Sequence, residues 1–222
     1  MGGVGPLRMM GTDPGQFAQR SQTGIYDARI LCEPCERSLA PFDDYGADLL
    51  INRRDTAFQR YAVADRTLFV ADEFDYAKLK LFIISVLWRA SVSTHKFFYR
   101  ISLGPFEQTA REMILRGDPG EADLFNAVLS RWTVPAGAAL PPKLMANPYQ
   151  YRDEDGIHRA RLYLGSFVGD ISVESRPLPS PLSNVAISPR LPLNALGRDL
   201  LTSRDLTVFR ETLLTSPRRK RR

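Results

Sequence analysis

The chain contains 222 residues, of which 44% are hydrophobic and 25% charged, a composition typical of globular proteins that bury a core. No apolar run approaches the roughly 18 residues that a membrane-spanning helix needs, and residues 1–6 lack the pattern of a signal peptide. Membrane-spanning and secreted classes are therefore excluded, and a cytoplasmic location is predicted. The net charge of +5 equals that of the last five residues, so the rest of the chain is formally neutral.

The first part of the chain predicts a loop, an extended segment and a helix. Residues 1–21 are rich in glycine, proline and polar residues, which favours a loop. Residues 24–31 predict a short strand or extended segment. Residues 36–52 predict a helix, because their apolar side chains recur every three or four positions.

Two short strands precede the most apolar element of the chain. Residues 57–63 and 66–70 predict strands that are joined by a two-residue turn. Asp75 is a favourable N-cap, and residues 76–93 are apolar on almost every side. A helix that is apolar all round is buried, so this helix is predicted to form the centre of the core.

The next part of the chain predicts two helices and a β-hairpin. Residues 106–115 predict a helix that ends at Gly117, and residues 121–131 predict another short helix. Residues 149–152 and 157–168 predict two strands, with the sequence Asp-Glu-Asp-Gly as the turn between them.

Beyond that hairpin the pattern is weaker. Residues 169–173 predict a continuation of the second strand past a bulge. Residues 177–192 contain five prolines, which predicts an irregular surface segment. Residues 193–214 form an amphipathic stretch whose secondary structure the pattern leaves open.

One Cys-x-x-Cys motif, at Cys32 and Cys35, carries the clearest chemistry in the sequence. Two thiolates at this spacing can bind one metal ion from a tight turn, and structural zinc needs four donors. The chain has no second cysteine pair, and His95 and His158 have no further donor at close spacing. The motif therefore predicts half of a zinc site.

Other chemistries match the sequence less well. A thioredoxin-like dithiol also needs Cys-x-x-Cys at the start of a helix, but Glu33 and Glu36 oppose a lowered thiol pKa. The chain has no zinc-deaminase motif, nucleophile elbow or phosphate-binding glycine loop. Three aspartates could bind a hard cation, although a solvated acidic face is the simpler interpretation: Asp43, Asp44 and Asp48.

Three segments of the chain carry a family resemblance. Residues 24–46 read Gly-Ile-Tyr-Asp-Ala-Arg-Ile-Leu-Cys-Glu-Pro-Cys-Glu-Arg-Ser-Leu-Ala-Pro-Phe-Asp-Asp-Tyr-Gly. Residues 80–91 read Lys-Leu-Phe-Ile-Ile-Ser-Val-Leu-Trp-Arg-Ala-Ser, and residues 102–107 read Ser-Leu-Gly-Pro-Phe-Glu. The stretch that contains them covers about a third of the chain. It resembles a group of uncharacterised bacterial proteins that are related to HNH endonucleases.

This resemblance implies a treble-clef-like zinc module followed by a helical and β body. In the related proteins an upstream Cys-x-x-Cys and a Ser-His-Ile-Ile-Pro-like segment precede a second knuckle, which corresponds to Cys32 and Cys35 here. The chain has no upstream knuckle and no His-Ile-Ile-Pro, so the histidine that would activate water or hold the metal has no counterpart. We therefore expect a truncated or degenerate relative that binds nucleic acid without cutting it.

Together, the patterns and the resemblance predict an α+β fold with a small treble-clef-like zinc knuckle, a buried-helix core and a β-containing C-terminal part. The expected division is residues 1–52 for loop and knuckle, 53–214 for the body and 215–222 for a disordered basic tail.

Zinc is the expected cofactor, bound by Cys32 and Cys35. DNA or RNA is the expected partner, held at its phosphates by the tail, although such a tail can also serve only for solubility. The tail cations are Arg218, Arg219, Lys220, Arg221 and Arg222. Two alternatives stay open: a structural or partner-binding protein in which the cysteines staple a loop, and a thiol oxidoreductase.

Overall fold

The α+β class is confirmed by helices packed against one face of a mixed seven-stranded sheet. This architecture is seen in a computed structural model that describes residues 7–10, 19–21, 27, 29–133, 144–203 and 205. No helix in these ranges has the length and apolar character that crossing a membrane requires.

The described residues contain four α-helices. They are α1 (Glu33–Ala47), α2 (Arg54–Ala57), α3 (Tyr76–Val92) and α4 (Glu107–Arg116). A π-helical turn, Asp48–Asn52, continues α1. The Asp75 carboxylate accepts a hydrogen bond from the Lys78 amide at 3.0 Å and so caps α3. Gly117 ends α4 in the left-handed conformation, with φ of 65°.

The described residues contain ten strands in two sheets. The small sheet has the order β2-β1-β6 and is built from β1 (Leu7–Met10), β2 (Gln19–Ser21) and β6 (Leu144–Ala146). The large sheet has the order β3-β4-β10-β5-β9-β8-β7. Its strands are β3 (Gln59–Val63), β4 (Arg66–Ala71), β5 (Ala127–Thr133), β7 (Tyr149–Arg152), β8 (His158–Leu164), β9 (Phe167–Ser172) and β10 (Leu193–Asp199).

Strand direction in the large sheet is antiparallel except at one central pair. Only β10 and β5 run parallel, with Ala195 opposite Leu129. The antiparallel partner of β10 on its other side is β4, where Ala195 lies opposite Phe69. The last described strand therefore lies near the centre of the sheet, between two strands from much earlier in the chain.

The main core lies between α3 and one face of the large sheet. Leu79, Ile84 and Leu87 of α3 are fully buried there, together with Leu129 and Phe167 from the strands. This confirms the prediction that the apolar helix forms the centre of the core. We call the sheet face that carries Leu129 and Phe167 the helix face.

The opposite side of the sheet we call the open face, defined by alternate strand residues that include Val128, Ser130, Arg159, Arg161 and Asp170. Two small apolar clusters lie on it. One surrounds the stacked rings of Trp132 and Tyr163, whose centroids are 5.8 Å apart. The other contains Val128 and Ile157.

Three sequence predictions need correction. Residues 1–21 contain β1 and β2 within the loop that was expected. Residues 121–131 form a turn and then β5, because this strand is buried on both faces and so lacks a clear period of two. Gly165, with φ of 69°, and Ser166 turn the chain between β8 and β9, so residues 157–173 form two strands rather than one.

Candidate functional site

The two cysteines lie at the N-terminus of α1. Cys32 is the N-cap residue and Cys35 lies in the first helical turn, so both side chains leave the backbone at the same end of the helix. Their sulfur atoms are 3.1 Å apart. Cys32 is exposed, whereas Cys35 is half-buried. The structure therefore brings together the two residues that the motif predicted, as free thiols.

The environment separates the acidities of the two thiols. The side chain of Cys35 lowers the pKa of the Cys32 thiol through a hydrogen bond, and the backbone of Cys35 acts in the same direction. The interaction with Cys32 raises the pKa of the Cys35 thiol, and burial adds to this effect. The unpaired amides of a helix N-terminus also favour a thiolate at this position. Cys32 is therefore the more acidic and more accessible thiol.

A small apolar cavity of about 150 Å³ adjoins Cys35. It lies where α1, α3 and α4 meet, and its wall includes Trp88 and Arg111. Arg111 partly offsets the raised pKa of Cys35 through its positive charge. The remaining lining residues are apolar: Ile30, Leu31, Leu39, Ile114 and Leu115.

The two thiols are fewer donors than the four that a structural zinc site needs. Among the described residues, no group of three or more histidine, cysteine or acidic side chains is placed to hold a metal ion. Two sulfur ligands at about 2.3 Å in a tetrahedron lie about 3.8 Å apart, so these thiols would separate slightly on binding. His95 does not supply a third donor; its Nδ1 accepts a hydrogen bond from the Phe97 amide at 3.1 Å.

The acidic face of α1 is only partly solvated. Asp43 forms a two-point ion pair with Arg89 of α3, at 2.6 and 2.9 Å. Asp48 pairs with Arg53 at 2.5 Å, while Asp44 is exposed. Asp43 therefore joins α1 to α3, which the sequence pattern alone did not reveal.

A second cluster of polar side chains lies on the open face. Arg161 of β8 donates to Asp170 of β9 from Nε at 2.7 Å and from Nη2 at 3.1 Å. The Tyr151 hydroxyl also donates to Asp170, at 2.8 Å, and Arg198 donates to Asp205 at 2.8 Å. Burial raises the pKa of Tyr151, and the charge of Asp170 raises it further.

Sequence analysis missed this cluster, although a signal was present. The segment Arg-Ala-Arg-Leu at residues 159–162 alternates charged and small or apolar residues with a period of two. That alternation places both arginines on one face of β8. Their partners Asp153 and Asp170 lie six and nine positions away, before and after β8, and Asp205 lies much further along the chain. No local sequence pattern shows these pairs, which the folding of the sheet brings together.

The five tail cations, residues 218–222, lie outside the described residues. Comparison with known proteins found no match among protein-family models, curated proteins or solved structures.

Proposed function

We propose that this protein is a zinc-binding, HNH-endonuclease-like protein in which Cys32 and Cys35 supply two of four zinc donors. The observation that carries the proposal is the pair of free thiols, 3.1 Å apart at the start of α1. Thiolates in the first turn of a helix benefit from its amide dipoles. The exposure of Cys32 leaves the pair accessible to donors from elsewhere.

We place the other two donors on a second chain. The sequence contains only two cysteines and two histidines, and the described residues show no third donor beside the thiols. The resemblance of residues 24–46 to HNH-related proteins favours a treble-clef-like module at this position. Because no histidine accompanies the cysteines, we propose nucleic-acid binding without strand cleavage.

A second candidate function is thiol–disulfide exchange, favoured by the unequal acidity and exposure of the two thiols. The Cys32 thiolate would attack a partner disulfide, form a mixed disulfide and release one partner thiolate. The Cys35 thiolate would then attack Cys32 and release the second partner thiolate. The partner disulfide is reduced by two electrons while Cys32 and Cys35 are oxidised to a disulfide.

Elemental analysis of protein purified without chelators distinguishes these functions. We expect zinc at or below one ion per chain, which is lost in Cys32→Ser and Cys35→Ser and kept in the control His95→Ala. Half an ion per chain would indicate that two chains share one site. Metal-free protein whose thiols cycle reversibly with a disulfide reagent would favour the exchange function. Metal-free protein with inert thiols would leave the structural or partner-binding alternative.

A further inference from the structure

The open face contains a cavity of about 360 Å³, and neither cysteine lines it. It extends across the sheet from Tyr151 on β7 to Thr67 on β4. Its volume falls within the roughly 300–1,000 Å³ of small-molecule sites. The charged residues of its wall are four arginines and two aspartates: Arg66, Arg159, Arg161, Arg198, Asp153 and Asp170.

The charges of this wall do not balance. Asp170 pairs with Arg161 by two hydrogen bonds, and Asp205, which does not line the cavity, pairs with Arg198. Even with Asp205 included, arginines outnumber aspartates by one. Asp153 pairs with Arg159, so the excess positive charge is that of Arg66.

Arg159 is the buried arginine of this wall, and one of its donors is unused. Its side chain is only 3% exposed, and its Nε donates to Asp153 at 2.5 Å. Its Nη2 is buried without a hydrogen-bond partner among the described residues. A buried guanidinium nitrogen without an acceptor costs free energy, which a ligand oxygen recovers once the side chain turns this nitrogen towards the cavity.

Arg66 lies at the edge of the cavity with its side chain 80% exposed. The only ion pair described for it is a 4.0 Å contact with Asp65, so it is free to turn towards a bound anion. The wall also offers the Ser130 hydroxyl and apolar surface from Val128, Leu182 and Leu196. A ligand that matches this wall has one anionic end and a small apolar body.

We propose that this cavity binds a small organic anion, a carboxylate or phosphate monoester with an apolar body, whose charged end is held by Arg159 and Arg66. The apolar body lies against Val128 and Leu196. This site is independent of the zinc site proposed at the cysteines, so either can be wrong without the other.

Calorimetric titration with benzoate, phenyl phosphate, inorganic phosphate and uncharged benzyl alcohol tests the proposal. We expect saturable binding of benzoate or phenyl phosphate with a dissociation constant of about 1 mM or tighter. Whichever of these two binds more tightly identifies the anionic group. Inorganic phosphate and benzyl alcohol should each bind at least tenfold more weakly, because each lacks one of the two matching parts. Absence of saturable binding of both organic anions would overturn the proposal.

Variants of the lining residues test whether the anion binds in this cavity. Arg159→Gln should weaken binding at least tenfold and Arg66→Gln about threefold. The control Arg116→Gln, at an exposed position of α4, should leave it unchanged. Leu196→Trp should fill the cavity and abolish binding without removing an ion pair, which keeps the test decisive if Arg159→Gln does not fold. Unchanged binding in folded Leu196→Trp would show that the anion binds elsewhere.

Discussion

Lys80 is buried, whereas lysine side chains are usually exposed to solvent. It lies on α3 and is 4% exposed. Its ammonium donates to the Glu121 carbonyl at 2.5 Å and to the Tyr76 hydroxyl at 3.2 Å. Burial lowers the pKa of Lys80 to about 8, although nearby carboxylates act in the opposite direction. At neutral pH the folded protein therefore holds a costly buried charge.

We predict that Lys80→Met stabilises the protein at pH 7 by about 1 kcal/mol, because an apolar side chain replaces a buried ion. The pKa of Lys80 is 10.5 in the unfolded chain and about 8 in the folded chain, so the folded chain releases the proton at lower pH. The unfolded state binds more protons between these values, so the wild type gains stability as pH rises through them. Urea unfolding should show that the stability advantage of the variant over the wild type is smaller at pH 9.5 than at pH 7.

The control for this experiment is Lys78→Met, on the exposed side of the same helix. It should change stability by less than about 0.5 kcal/mol at either pH. A Lys80→Met variant that is less stable at pH 7, by an amount that pH does not alter, would show that the two hydrogen bonds outweigh the cost of burying the charge.

At the scale of elements, α1 and α3 cross with little room between them. Gly46 of α1 is buried, and a Cβ at this position would overlap the Phe82 ring of α3. The close approach also brings the Tyr45 hydroxyl to the Asp75 amide, from which it accepts a hydrogen bond at 2.5 Å. Glycine is therefore required here by packing, although it lowers helix propensity.

We predict that Gly46→Ala destabilises the protein by about 1–3 kcal/mol, because the added methyl group overpacks the crossing. This loss should exceed the roughly 1 kcal/mol that alanine gains over glycine in helix propensity. Thermal unfolding measures the change. The double variant Gly46→Ala/Phe82→Leu should recover part of the loss.

The exposed position Asp44, two residues away on α1, supplies the control. Asp44→Ala should leave the unfolding temperature nearly unchanged. If Gly46→Ala unfolds at or above the wild-type temperature, then helix propensity outweighs packing at this crossing.

The sequence predicts elements well where one physical signal dominates. The apolar run and Asp75 cap place α3 within one residue of its observed end, and Gly117 correctly ends α4. β5 and β10 were not identified because they are central strands whose burial depends on neighbours distant in sequence. The cysteine pair could be predicted from local spacing. The open-face arginine cluster could not, because its carboxylate partners come from other strands and loops.

At the scale of the whole molecule, positive charge is concentrated at the tail. The five cations of residues 218–222 account for the entire net charge. Counterion release from phosphates is the main source of nonspecific affinity for nucleic acid, and it carries no base information. We therefore expect weak, nonspecific binding through the tail.

We predict that deletion of residues 218–222 removes most binding to duplex DNA at low salt, equally for unrelated sequences. In the full chain, the logarithm of affinity should fall against the logarithm of salt concentration with a slope no steeper than about −4.5, since at most five counterion sites are involved. Fluorescence anisotropy at several salt concentrations measures both quantities.

Replacement of the five cations by glutamine controls for tail length and should match the deletion. Residual binding in either variant, or discrimination between two DNA sequences, would place the contact at the cysteine region or on a folded patch. The same titration on zinc-free protein would then separate these two locations.

The place of β10 determines the order in which the sheet can assemble. Ala195 pairs with Phe69 on one side and with Leu129 on the other, so both neighbours precede it by a long stretch of chain. Until residues 193–199 are available, a chain synthesised from its N-terminus has two half-sheets, each with an unpaired edge at β4 or β5. Such edges invite pairing with other chains, and pairings this distant in sequence form slowly. Because β10 covers both edges, the chain is exposed to aggregation for as long as β10 has not joined the sheet.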